Sequence, residues 1–203
     1  MTQVTFWFDF ASTYSYLSAM RIEEMADKAD VGLVWKPFLL GPIFKSQGWN
    51  TSPFNLYPAK GKYMVRDVER IAQGRGMPFR LPESFPQNSL HAARLSLLGL
   101  GEGWGPIFIK EVYKAEFASG QDISNAEMLA GMLIAAGASP NKALESAQST
   151  EIKEKLRANT EEAIALGIFG APSFTTASGE LFWGDDRLEH ALESSRRYPN
   201  HFA

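Results

Sequence analysis

Residues 6–20 read FWFDFASTYSYLSAM, and this stretch decides the fold because its periodicity changes within it. Just upstream and overlapping, VTFWFDF (4–10) is rich in aromatic and β-branched residues, and the apolar run is too continuous for a strand with one face in water. A buried parallel strand fits. From about Tyr14 onward, Ile22, Met25, Ala26 and Ala29 recur at helical spacing, with Ser12 or Thr13 as a natural N-cap. VGLVWKPF (31–38) reads as a second strand ended by Pro37. Strand, helix and strand in so short a span predict a βαβ unit with a right-handed crossover.

Further along, Gly41, Pro42, Gly48, Asn50, Ser52, Pro53, Asn55, Pro58 and Gly61 punctuate residues 41–62, which read as a long irregular segment. Long ordered loops in compact domains are usually functional. Helical patterns follow: KYMVRDVERIAQGRG, NSLHAARLSLLGL, PIFIKEVYKAEFAS, NAEMLAGMLIAAG and NKALESAQST. Their Ala, Leu and Met positions suit helix–helix core. Ser124 and Ser139 are the expected caps within this block. EIKEKLRANTEEAIALGI (151–168) is an amphipathic helix stopping near Gly167. GAPSFTT and LFWG are short strands split by Ser178-Gly179, and DDRLEHALESSRR is a closing helix.

The order is therefore βαβ, a helical block, then αββα. This predicts an α/β, thioredoxin-like fold (residues 1–60 and 155–203) interrupted by an all-helical insertion (61–154). No internal repeat competes with it.

Composition narrows the function. The 203 residues are 45% hydrophobic and 21% charged, as in an ordinary globular protein. A net charge of −3 gives no basic footprint for nucleic acid or an anionic membrane. No secretion signal or bilayer-length apolar run is evident, so a cytoplasmic location is expected. The chain has no cysteine, hence no disulfide, thiolate nucleophile or cysteine metal site of its own. Any thiol chemistry must use a borrowed thiol. His91, His190 and His201 lack metal-ligand spacing, GEGWG lacks the Lys and Ser/Thr of a phosphate loop, and no G-x-S-x-G elbow makes Ser12 a hydrolase serine.

In the expected fold the reactive thiol sits at the N-terminus of the first helix, where free N–H groups and the helix dipole favour an anion. Here that position carries Ser12-Thr13-Tyr14-Ser15, a serine pair at the spacing of C-x-x-C. Ser12 is either a plain helix cap or a hydroxyl donor to a bound thiolate; Ser15, one turn on, is a structural residue.

FDFASTYSYL, GWNTSPFNLYPAKGKYM, FGAPSF and WGDDRL, in that order, resemble the 2-hydroxychromene-2-carboxylate isomerases, relatives of the kappa-class glutathione transferases and of DsbA-type oxidoreductases. The resemblance covers nearly the whole chain, although Thr13 stands where those isomerases tend to carry proline. It implies a glutathione cofactor whose thiolate takes a hydrogen bond from Ser12. It also implies a cis Ala171-Pro172 bond that leaves the Ala171 backbone to pair with the cysteinyl unit. The γ-glutamyl end would meet Asp186, with Asp185 as second choice, and Asn50 and Lys60 would lie near the glycyl and thiol regions. The implied activity is isomerisation of an aromatic 2-oxo acid or its chromene form; a kappa-like transferase or peroxidase, or a non-catalytic binding module, are the alternatives. Aromatics of the long loop (Phe44, Trp49, Phe54 and Tyr57, with nearby Phe38) could wall an apolar pocket for such a substrate. A homodimer is expected, with Ile107, Phe108, Met128 and Met132 serving either core or interface.

Overall fold

A computed structural model describes residues 2–198. The elements run β1 (Gln3–Phe8), α1 (Thr13–Ala19), α2 (Ile22–Ala29), β2 (Gly32–Pro37), α3 (Leu40–Ser46), α4 (Pro53–Leu56), α5 (Pro58–Gly74), α6 (Leu90–Glu102), α7 (Gly105–Phe117), α8 (Ala126–Ala135), α9 (Pro140–Ser146), α10 (Thr150–Ala165), β3 (Ser173–Thr176), β4 (Leu181–Trp183), a 3-10 turn (Asp185–Arg187) and α11 (Leu188–Arg197).

The sheet has the order β2-β1-β3-β4. Strand β1 is internal, pairing in parallel with β2 (Phe6 opposite Trp35) and antiparallel with β3 (Phe6 opposite Phe174). Its continuous apolar run is explained by cover on both faces. On one face Phe6 stacks on Phe174 at 5.4 Å, and Phe8 and Phe10 lead to Tyr113 and Phe117 of α7. On the other, Trp7 packs with Phe38, Ile43, Ala163 and Ile168. Burying aromatic side chains of this size is worth roughly 1.5–3 kcal/mol each, so this double layer anchors the fold. The hairpin β3–β4 turns at Ser178-Gly179, where Gly179 adopts φ 83°.

Three expectations need correction. The first helix is broken at Met20-Arg21 into α1 and α2, with Arg21 at φ −130°, ψ −15°. The segment 41–62 is largely helical: Pro53 and Pro58 each occupy the first turn of a helix, where a missing N–H costs nothing. The cap of α8 is Asn125, whose side chain accepts from Glu127 N, rather than Ser124; Ser139 does hold the cap position of α9. Of the apolar positions left open between core and interface, Phe108 and Met132 are buried, Met128 packs against the core and Ile107 is half-exposed. Among the described residues no helix is long and apolar enough to cross a membrane, and no cluster of acids and histidines could hold a metal ion.

Candidate active site

The turn between β1 and α1 carries Ser12. The backbone carbonyl of Asp9 accepts from Ser12 N at 3.0 Å, and Ser12 stays extended (φ −114°, ψ 112°) before the helix begins. Its Oγ accepts from Ser15 N at 3.1 Å and donates to the carbonyl of Ala171 at 2.8 Å. Ser12 therefore is a helix cap, and its one hydroxyl proton also reaches across to the loop before β3. Two motifs 159 positions apart in the chain meet at this oxygen. The first turn of α1 holds no acidic residue, so nothing there offsets the positive end of the helix.

The Ala171-Pro172 bond is cis, as expected; Phe85-Pro86 is cis as well. The Pro172 carbonyl accepts from Gly184 N at 3.0 Å, tying the proline loop to the Gly184–Arg187 turn. Gly184 sits at φ 109°, and a Cβ built there would lie 2.6 Å from Asp186 Oδ1. Only glycine lets the Asp186 carboxylate fold back over this backbone. Gly170 is likewise pressed by Trp183, whose indole nitrogen would lie 2.5 Å from a Cβ, and Trp183 forms a half-exposed pair with Phe169 at 4.9 Å.

The two adjacent acids point in opposite directions. Asp185 is 2% exposed and accepts from Ser18 Oγ (2.9 Å), from Arg21 and from Arg75 Nη2 (2.7 Å). Arg21 also binds the Asp185 carbonyl and pairs with Glu189. Asp185 is thus occupied by the protein's own cations. Asp186 is exposed and pairs only with its neighbour Arg187. Burial, then the Asp67 carboxylate, with smaller effects of Tyr63 and Asp186, raise the Tyr14 phenol; Tyr14 Oη donates to Asp67 Oδ2 at 2.9 Å and stays protonated.

Beside the turn that leads into Ser12, reached through Asp9 and Ala11, opens a cleft of about 710 Å³, lined also by Lys45, Trp49, Asn50 and Asn88. Asn50 is in this cleft. Lys60 is not: it is exposed on the first turn of α5. Of the loop aromatics, Phe44 and Trp49 pair at 5.8 Å along the cleft, Phe54 packs on Phe85, Phe38 is core, and Tyr57 is exposed. The histidines stay apart from the site: His91 meets Gln148, His190 lies on α11, and His201 is outside the described residues. Asp9, Arg21, Lys45, Asp67 and Arg75 were not singled out from sequence. Asp9 alone carried a local signal, an acid inside a buried strand pattern just before the hydroxyl cluster.

With the turn, the cis proline and the sheet order in view, residues 3–194 match the DSBA-like thioredoxin domain, and the chain belongs to that family. It is 28% identical over 193 residues to a 2-hydroxychromene-2-carboxylate isomerase of Sphingobium xenophagum, covering 94% of this chain and 96% of the relative. It is also 28% identical over 203 residues to glutathione S-transferase kappa 2 of Caenorhabditis elegans, covering 94% and 90%. A solved 2-hydroxychromene-2-carboxylate isomerase superposes with a TM-score of 0.85 at 24% identity, over 97% of this chain and 96% of that one, which shows the shared fold.

Proposed function

We propose that this protein is a glutathione-dependent isomerase acting on 2-hydroxychromene-2-carboxylate or a similar aromatic 2-oxo acid. The observation that carries the reading is Ser12 Oγ, held at the N-terminus of α1 and 2.8 Å from the Ala171 carbonyl in a chain without cysteine. A hydroxyl donor at a helix end is suited to a thiolate that the protein cannot itself provide. The residues suit the tripeptide: Asp186 is an exposed carboxylate, paired with Arg187 on the surface, that would turn to an ammonium, and Asn50 and Lys60 are exposed polar groups on the loop side for the glycyl end. The cis bond to Pro172 would present the Ala171 backbone for an added strand-like pairing.

Glutathione would supply a nucleophilic thiolate that adds reversibly to the substrate and is returned unchanged. The chain's part is to hold the Ser12 proton at Oγ and turn it from the Ala171 carbonyl towards the charged sulfur. The positive end of α1 favours the same charge, and Tyr14, kept protonated, adds none of its own. Trp49 and Phe44 form an aromatic wall of the cleft beside Ser12 for the second reactant.

A kappa-like transferase or peroxidase is the second reading, favoured by the match to the Caenorhabditis elegans relative over 94% of the chain. Following glutathione during turnover of 2-hydroxychromene-2-carboxylate separates the two: a constant pool supports the isomerase, depletion the transferase. Failure of glutathione to bind in calorimetry would leave a binding module. The reading also takes the protein as a cytoplasmic homodimer; a monomer mass in light scattering would remove the dimer. The division into 1–60 with 155–203 and 61–154 belongs to the same proposal. All four strands come from the outer segments, although the two cuts pass through α5 and α10.

Ser12→Ala tests the carrying observation. Glutathione affinity should be nearly unchanged, while the bound thiol's pKa rises by roughly one to two units, the equivalent of a lost charge-assisted hydrogen bond. Thiolate absorbance against pH reads this directly, and superimposable curves for wild type and variant would reduce Ser12 to a cap.

A further inference from the structure

Asp9 is 3% exposed and lies at the floor of the cleft. Its carboxylate faces three segments that wall that cleft and accepts backbone hydrogen bonds from two of them. Oδ1 accepts from Ala11 N at 3.0 Å, within the turn that ends in Ser12. Oδ2 accepts from Leu40 N at 2.7 Å, the first residue of α3, and so fixes the wall that continues through Phe44 and Lys45. Ser89, in the segment Gln87–Leu90, lies close enough to the same carboxylate to help hold its pKa down. The Asp9 backbone carbonyl accepts from Ser12 N at 3.0 Å and from Tyr113 Oη at 3.1 Å, pinning the turn to α7.

The charge behind this knot is also accounted for. Glu116 of α7 is fully buried with neither carboxylate oxygen hydrogen-bonded, and burial, with Asp9 and Asp122 nearby, pushes its carboxyl well above the ordinary value. It stays neutral. Burial pushes Asp9 up as well, but Leu40, Ser89 and Ala11 oppose that, so of the two acids Asp9 is the one equipped to carry charge.

We propose that Asp9 is a positioning residue for the second reactant: its carboxylate locks the cleft walls to the turn that carries Ser12, so that cleft shape and Ser12 placement are set together. The inference rests on the reading of Ser12 and the cleft given above. Asp9 touches neither reactant in this account; it acts through Leu40 and Ala11.

The separating measurement is a split between KM and affinity. In Asp9→Asn the amide can accept only one of the backbone donors, and its NH₂ faces the other. With saturating glutathione, KM for 2-hydroxychromene-2-carboxylate should rise about tenfold or more, as for loss of a hydrogen bond to a charged group, while glutathione Kd stays within about twofold. Leu40→Pro deletes one donor and leaves Asp9 intact. Proline suits a first helical position, and the extended Leu39 before it (φ −114°, ψ 123°) accommodates it. The KM effect should be in the same direction. Wild-type KM in either folded variant, or an equal loss of glutathione affinity, would overturn the proposal. A third readout needs neither variant nor glutathione: in the wild type, saturation with 2-hydroxychromene-2-carboxylate should slow amide exchange at Ala11 and Leu40 together, by about fivefold or more. Independent exchange at the two amides would also overturn it. Absence of glutathione binding by the wild type would sink the proposed function alone, since this exchange readout still judges Asp9.

Discussion

Ser12 stands between two walls built in different ways. The wall on the proline-loop side is anchored from behind: Gly184 N is bonded to the Pro172 carbonyl, and Asp185 is gripped by Ser18, Arg21 and Arg75. The wall made by residues 40–57 is tied in at Leu40 N by Asp9, at Ile43 by the core around Trp7, and by aromatic contacts, Phe44 with Trp49 and Phe54 with Phe85. Most of its residues are exposed or half-exposed. The difference teaches where rigidity is concentrated. On the proposed function, the anchored wall would meet the cofactor's thiol and γ-glutamyl parts, and the adjustable wall its glycyl end and the second reactant.

Breaking the anchored wall should give the largest effect. Asp185→Ala leaves Arg21 and Arg75 facing one another across a buried gap, and removing one partner of a buried ion pair typically costs about 3–5 kcal/mol. Both arginines are partly exposed, so the lower end applies; urea unfolding checks it, and a loss near zero would mean that the wall is not anchored through Asp185. Asp186→Ala sharpens the contrast between neighbours. Its exposed carboxylate should contribute little to stability, yet glutathione binding should weaken by about 1–3 kcal/mol in calorimetry. Unchanged affinity would remove Asp186 from the site. Lys60→Ala should be smallest: an exposed cation meeting a carboxylate contributes about 0.2–1 kcal/mol, visible as a modest loss of glutathione affinity that fades with added salt. A loss as large as that of Asp186→Ala would show that α5 closes onto the ligand.

The anchored wall was also the more legible one. Strand β1 announced itself through an apolar run too long for a one-faced strand, and the hairpin through Ser178-Gly179, because both signals are local. Ser12 at a helix start was readable for the same reason. The break at Arg21 was not, since the partners that draw its side chain away, Asp185 and Glu189, lie 164 and 168 positions on. Residue type alone does not tell Asp185 from Asp186, and only the resemblance ranked them; the burial of Asp185 by Ser18, Arg21 and Arg75, all distant in the chain, is what separates the two. In residues 41–62 the prolines misled, because Pro53 and Pro58 start helices that their abundance suggested they would prevent.

Trp183, packed against Gly170 next to Ala171, gives the anchored wall an optical property. Trp7 and Trp35 are buried in the sheet core, whereas Trp183 is half in solvent and Trp49 lines the cleft. Indole emission shifts with local polarity, so each wall carries its own intrinsic fluorophore. Trp7, Trp35 and Trp104 would emit as a common background, so replacing Trp49 or Trp183 by phenylalanine would subtract one wall's contribution, and the ligand-induced quenching lost with it could be assigned to that side of Ser12 without any attached label.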